Sequence, residues 1–198
     1  MLNISKSDYK TAAKILKNGG IIAFPTETVF GLGCISNSEI AFDHLVSVKK
    51  RPPNKPFTIM CSSISQVGDI IVITPKIAAI INKFMPGPLT IIVKTKSTVP
   101  HYLDLGSGYV GVRIPDSKFV IDMINEVGVP LLVPSCNPSD LAPATSSKEA
   151  INYFDGIIDG VVYGESKTNI PSTVCKVDGD KIIILREGPI SLKDLEEA

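Results

Sequence analysis

Three small groups of polar residues carry the chemistry open to this sequence. The first is Thr26, Glu27 and Thr28, inside Pro25-Thr26-Glu27-Thr28-Val29-Phe30-Gly31-Leu32-Gly33. The second is Lys49, Arg51 and Lys55, cations interleaved with prolines, and the third is Ser135 and Asn137. Arg113 and Arg186 each end an apolar run, and Ser172 opens another in Pro171-Ser172-Thr173. Arginine captures carboxylate or phosphate through two parallel donors, whereas lysine acts as a point charge. Several cations with hydroxyl and amide partners imply an anionic ligand, and a nucleotide is the class that fits best. The usual nucleotide loops are missing: there is no Gly-x-x-x-x-Gly-Lys-Ser/Thr and no Gly-x-Gly-x-x-Gly. Each residue also has a plainer reading. Lys49 and Lys50 suit a solvated helix end, where cations favour the dipole. Arg113 alone suits a surface ion pair. His44 reads as an exposed helix residue and His101 as a loop residue. Nothing resembles a Ser-His-Asp triad or a Cys-His pair.

The elements that must position these groups follow from periodicity and caps. Asp8 to Lys17 has helical spacing, with Ala12, Ile15 and Leu16 on one face and Gly19-Gly20 as a C-cap signal. Ile21 to Phe24 reads as a buried strand that Pro25 ends, followed by the polar, glycine-bearing loop. Ser38 caps a helix over Glu39 to Lys50, with Ile40, Ala41, Leu45 and Val48 facing inward, and Pro52-Pro53 stops it. Pro56 to Cys61 is a strand. Thr74 and Pro75 begin a helix carrying Ile77, Ile80, Ile81 and Phe84, broken by Pro86-Gly87-Pro88. Strands follow at Leu89 to Val93 and Tyr109 to Ile114. Asp116 or Ser117 caps a helix through Glu126, and Leu131 to Val133 is a short strand. Ser146 with Glu149 makes a capping box for a helix to about Tyr153. Gly156 to Tyr163, Thr173 to Val177 and Lys181 to Leu185 are strands, with a tight turn at Asp178-Gly179, and Ser191 caps a last helix. Helices alternate with strands and the chain ends in strand pairs, which predicts an α/β fold with a mixed, twisted sheet.

Composition narrows the class. With 198 residues the chain suits one sizeable domain, and such a domain buries roughly 70% of its unfolded surface. It is 44% hydrophobic and 20% charged, as globular proteins are. Twenty basic residues balance twenty acidic ones, which argues against a protein that lives on nucleic acid, without excluding a local basic patch. Cys34, Cys61, Cys136 and Cys175 stand singly, so zinc-ligand spacing is absent; Cys61 and Cys175 sit in apolar runs as buried thiols. No signal-peptide core and no run of about 18 apolar residues is visible, so a soluble protein of a reducing cytoplasm, off the membrane, is expected.

Taken together, the motifs resemble the YrdC-like domain of threonylcarbamoyl-adenylate synthases. The matching segments are the Pro25 to Gly33 stretch, Lys49-x-Arg51-Pro52, Phe84-Met85-Pro86-Gly87-Pro88-Leu89-Thr90, Val112-Arg113, Ser135-Cys136-Asn137, Pro171-Ser172-Thr173-Val174 and Arg186-Glu187-Gly188. They cover nearly the whole chain in order; jointly they are specific, though each alone is weak. The resemblance implies one YrdC-like domain over residues 1–198, a twisted mixed sheet flanked by helices. It implies that L-threonine and bicarbonate form a carbamate, which takes an adenylyl group from ATP and releases pyrophosphate. A downstream threonylcarbamoyl transferase complex then modifies adenosine 37 of tRNA. By the same resemblance Thr28, Met60, Arg113, Val133 and Ser172 contact threonine. Arg51, Lys55, Tyr109, Ser135, Asn137, Pro143 and Arg186 contact ATP, and Lys49 with Arg51 belongs to the catalytic motif. ATP enters as substrate, with Mg2+ an optional companion of the nucleotide and no metal site on the chain.

Three departures from the family pattern stand out: Met60 replaces a polar or histidine residue, Cys136 replaces the commoner alanine, and Tyr109 replaces a serine or threonine. Two other readings stay open. One is a carbamoyl-adenylate-forming relative from hydrogenase maturation, although the zinc-finger cysteines of those longer chains are missing. The other is an RNA-binding or ribosome-associated module without catalysis, touching tRNA or double-stranded RNA weakly. Zero net charge and an aromatic set of only seven Phe and five Tyr count against it.

Overall fold

Side chains alternate across a strand; here one face of the sheet feeds a large apolar core along most of its length, and the other feeds a smaller one at one end only. The computed structural model describes residues 1–52 and 55–198; Pro53, half of the expected Pro52-Pro53 stop, lies outside them. Ten strands form one sheet: β1 (Leu2–Ile4), β2 (Ile22–Phe24), β3 (Gly31–Ile35), β4 (Thr58–Met60), β5 (Leu89–Lys94), β6 (Tyr109–Arg113), β7 (Leu131–Leu132), β8 (Gly160–Val162), β9 (Thr173–Asp178) and β10 (Lys181–Arg186). Their order is β1-β8-β2-β3-β7-β4-β6-β5-β9-β10. Pairs β1/β8, β2/β8, β4/β6 and β5/β9 are parallel and the rest antiparallel, which is the expected mixed α/β sheet.

Helices α1 (Tyr9–Lys17) and α6 (Lys118–Val127) pack together on one face, over Ile22, Phe24, Met60, Leu131 and Val133. The other face carries the larger core, into which Ala23, Leu32, Ile59, Leu89, Val112 and Cys175 point. The remaining helices are α2 (Glu39–Lys49), α3 (Ile64–Ile70), α4 (Pro75–Phe84), α5 (His101–Asp104), α7 (Ser147–Phe154) and α8 (Leu192–Glu196). The expected caps at Ser38, Thr74, Ser146 and Ser191 all form. The capping box expected of Ser146 and Glu149 is only half made, because the Glu149 carboxylate accepts from the Thr145 N–H at 2.7 Å. All four cysteines are free and buried.

Several expectations change. Ile40 is 84% exposed and Phe42 points inward in its place, packing its ring on Phe57 and Tyr102. The strand expected over Gly156 to Tyr163 shortens to β8, because Gly156 takes a positive φ of 72° and turns the chain first. The hairpin turn is Gly179-Asp180 rather than Asp178-Gly179, since Lys181 pairs with Asp178 and Gly179 takes φ 60°. His101 opens the one-turn α5 instead of a loop. Gly31–Ile35, expected as loop, is a strand. A side chain at Gly33 would lie 2.6 Å from Phe24 Cε1, so glycine here makes room for the ring.

Candidate active site

The sheet face that carries α1 and α6 is open beyond Met60, and a cleft of about 140 Å3 lies there. Its floor follows from strand alternation. On β6, Val110 and Val112 enter the large core, so Arg113 turns to the opposite face. On β4, Met60 stands beside Arg113, and on β5, Thr90 takes that face between Leu89 and Ile91. Thr26, Thr28, Val29, Phe30 and Gly31 form one wall and Val133, Pro134 and Ser135 another; Pro171, Ser172, Arg186 and Arg51 close the rest.

Arg186 reaches the cleft through a register shift. Ile184 pairs with Cys175 but Arg186 pairs with Val174, so two residues of β10 oppose one of β9. That bulge turns Arg186 away from the core face that Cys175 occupies. Its Nε and Nη2 donate to the Ser172 carbonyl at 3.0 and 2.9 Å, and Nη2 also to Ser172 Oγ at 3.1 Å. Ser172 Oγ lies 3.0 Å from Thr90 Oγ1. Burial holds Arg186 below its ordinary pKa, and the charge of Arg113 adds to this. Arg51 is also lowered by burial; it donates to the carbonyls of Lys55 and Pro56 at 2.8 and 2.9 Å and lies 4.9 Å from the Phe57 ring centre.

Arg113 is 6% exposed and is no surface cation. Its Nη2 donates to Glu27 Oε1 at 2.7 Å and to Thr28 Oγ1 at 3.0 Å. The two-pronged fork is therefore not wholly free: one prong is already held by the chain. Glu27, to which the motif matches gave no role, is thus the buried partner of Arg113.

Lys49 sits at the end of α2, but it is 3% exposed rather than solvated. Its ammonium donates to the Ser135 carbonyl at 2.7 Å, the Asn137 carbonyl at 2.8 Å and Asn137 Oδ1 at 3.1 Å. Ser135 Oγ donates to Asn137 Oδ1 at 2.6 Å, and Asn137 Nδ2 to the carbonyls of Pro138 and Leu141. Burial first, and the Arg51 charge second, push Lys49 down to about 8. Lys49 and Asn137 thus stand behind the cleft wall and fix Ser135 within it.

The structure brings together Thr28, Arg51, Met60, Arg113, Val133, Ser135, Ser172 and Arg186. It does not bring Lys55, Tyr109 or Pro143 to the lining. Tyr109 shares the Arg113 face but stands four residues away, about 13 Å along the strand. There its hydroxyl bonds Asp178 Oδ2 at 3.2 Å and its ring meets Lys176, 3.9 Å from the ring centre. Thr58, Thr90 and Pro171 line the cleft and had no role assigned.

Residues 14–188 match the Sua5/YciO/YrdC family, described as telomere recombination. A Methanocaldococcus jannaschii protein provisionally named threonylcarbamoyl-AMP synthase is 32% identical over 97% of this chain and 93% of its own. The Bacillus subtilis threonylcarbamoyl-AMP synthase is 32% identical over 93% of this chain, which spans only 54% of that protein. The crystal structure of Pyrococcus abyssi Sua5 complexed with L-threonine superposes with a TM-score of 0.92 at 29% identity, covering 99% of this chain and 59% of that one.

Proposed function

The chain belongs to the Sua5/YciO/YrdC family, and we propose from that premise that it makes L-threonylcarbamoyl-adenylate from L-threonine, bicarbonate and ATP. Pyrophosphate leaves, and the product serves a threonylcarbamoyl transferase complex that forms t6A at position 37 of tRNA, with residues 1–198 working as one catalytic unit. The observation that carries this reading is the cleft itself: Arg51, Arg113 and Arg186 line it with hydroxyls from Thr28, Ser135 and Ser172, and among the described residues no carboxylate lines it. Such a lining suits a ligand with several negative charges, as the threonine carbamate and ATP together present. That a related Sua5 structure holds L-threonine supports the amino acid as substrate.

The chemistry follows from the arrangement. The threonine amine nitrogen bonds to the bicarbonate carbon as a C–O bond breaks and water leaves, giving an N-carboxylate; an oxygen of that carboxylate attacks the α-phosphorus while the bond to the β-phosphate oxygen breaks. The nucleophile is weak and decays in water, so it must be held and shielded; Val29, Phe30, Met60 and Val133 supply the apolar wall. Charge builds on the phosphate oxygens, where Arg51 and Arg186 stand ready. Arg113 faces the threonine carboxylate. Lys49 acts by holding Ser135. Among the described residues no group of His, Cys, Asp and Glu suits a metal ion, so any Mg2+ would enter on the nucleotide phosphates.

Pyrophosphate release should require threonine and bicarbonate together. Serine should be poorer, because a pocket methyl contact is worth about 1–3 kcal/mol. A pyrophosphate-release assay with each component omitted in turn checks this. Release that proceeds equally without an amino acid would overturn the reading.

A further inference from the structure

Glu27 lies behind Arg113 rather than on the cleft wall. It is 6% exposed and Arg113 is likewise buried. One of its oxygens takes the Arg113 bond at 2.7 Å; the other, Oε2, is buried with no partner among the described residues, as is Arg113 Nε. Stability alone gives little reason for this pair, because apolar side chains of the same volume often hold such a corner as well. The second Nη2 proton goes to Thr28 Oγ1 at 3.0 Å. With both Nη2 protons committed, Nη1 is the part of the fork left for a ligand.

The same pair sets the direction of a hydrogen-bond chain. Thr28 Oγ1 lies 2.9 Å from Thr26 Oγ1, which donates to the Val29 carbonyl at 2.7 Å. An arginine can only donate and a carbonyl can only accept. The two hydroxyls between them are therefore ordered: Arg113 donates to Thr28, Thr28 to Thr26, and Thr26 to Val29. Thr28 has no proton left for the cleft and shows it a lone pair.

We propose that Glu27 is a positioning residue of the amino-acid site. It holds Arg113 so that Nη1 meets the substrate carboxylate, and through Arg113 it fixes Thr28 Oγ1 as an acceptor for a substrate N–H. A zwitterionic α-amino acid is then gripped at both ends in one orientation. The inference rests on the threonine reading above. In Glu27→Gln the side chain keeps its shape and loses its charge, so the guanidinium loses the anion that fixes Nη1 toward the substrate carboxylate and the hydroxyl chain loses its anchor.

The test compares wild type and Glu27→Gln by steady-state pyrophosphate release, threonine calorimetry and thermal melting. We expect the threonine KM to rise about tenfold, the scale of one charge-assisted hydrogen bond lost. The ATP KM and kcat should stay within about twofold. A merely structural role would instead lower kcat or the melting temperature and move both KM values alike, which would overturn the proposal. Wild type that binds threonine together with a Glu27→Gln that binds it equally overturns the positioning role alone; wild type that neither binds threonine nor releases pyrophosphate overturns the reading beneath it as well. Should Glu27→Gln fail to fold, Thr26→Val decides the matter. It leaves the ion pair whole and cuts the last link, so the threonine KM should rise about threefold with the ATP KM unchanged. An unchanged threonine KM in folded Thr26→Val overturns the proposal.

Discussion

Lys49 shows how a single residue changes meaning once its partners are known. Read from sequence, it is a helix-end cation or a catalytic charge; in the fold it donates all three ammonium protons to Ser135 and Asn137. Burial lowers its pKa from 10.5 to about 8. The fold therefore disfavours its charged form: that cost to stability is full below pH 8 and eases as pH rises from about 8 toward 10.5, while the unfolded chain still holds the proton. The neutral amine keeps two donors for three acceptors, so the Ser135 loop loosens even as the fold gains. We expect kcat/KM for ATP to fall through one titration near pH 8, with no parallel fall in melting temperature. A profile flat from about pH 7 to about pH 10 would leave Lys49 out of this step. Arg113 gives a second test. A lysine there keeps a charge for Glu27 but loses the planar fork that also reaches Thr28. Losing a charge-assisted hydrogen bond costs roughly 1.5–3 kcal/mol, so kcat/KM for threonine should fall about tenfold or more in Arg113→Lys, with ATP affinity and melting temperature nearly unchanged. Wild-type kinetics, or a loss that merely tracks unfolding, would remove Arg113 from the carboxylate site.

Among the elements, the strands and caps that obey their own periodicity were readable, and the ones that serve a neighbour were not. The helix starts at Ser38, Thr74 and Ser191 announce themselves locally and form as expected. A further start was there to be read: Ser63 and Gln66 have capping-box spacing, Ser63 Oγ accepts from the Gln66 N–H, and α3 follows. By contrast β3 hides behind Gly31 and Gly33, residues that weaken a strand and make room for Val133 and for the Phe24 ring respectively. The β10 bulge is invisible in the run Lys181 to Arg186, because only pairing with β9 reveals which face Arg186 takes. Gly188 belongs to this class. A Cβ there would press on the Thr173 backbone nitrogen and come within 2.7 Å of the Pro171 carbonyl, both backbone atoms that cannot swing away. Gly188→Ala should therefore shift the Pro171–Thr173 segment that carries Ser172 and receives Arg186. We expect a stability loss of about 1–3 kcal/mol by denaturant melting, together with weaker ATP use. A folded Gly188→Ala with intact ATP kinetics would show that the bulged hairpin tolerates displacement.

For the whole molecule, the site is an outcome of sheet order. Residues from Thr26 to Arg186 meet because β6, β5, β9 and β10 lie side by side and pass Arg113, Thr90, Ser172 and Arg186 across one face. This explains how much of the site was legible. The polar residues of the cleft could be named from their chain positions and motif matches, whereas their pairing needed the topology, which alone puts Glu27 against Arg113 and Tyr109 at the far end of its strand. It also explains why net charge says little here. Twenty basic and twenty acidic residues cancel over the chain, while the cleft gathers three guanidinium groups and, among the described residues, no carboxylate in its lining. Charges of one sign in a concave site act over the screening length, about 10 Å at 0.1 M salt and about 3 Å at 1 M. Arg51 is half-buried and Arg186 exposed, and both face a polyanion, so their attraction is open to screening. Threonine is a zwitterion of zero net charge, and its proposed partner Arg113 is buried against Glu27, where salt penetrates poorly. Raising salt from about 0.05 M to about 0.5 M should therefore weaken ATP binding severalfold and change threonine binding by less than about twofold, each measured by calorimetry at one pH. Equal salt dependence for the two ligands would mean that the phosphates do not rest on Arg51 and Arg186, and the division of the cleft into a buried amino-acid end and a screened nucleotide end would have to be abandoned.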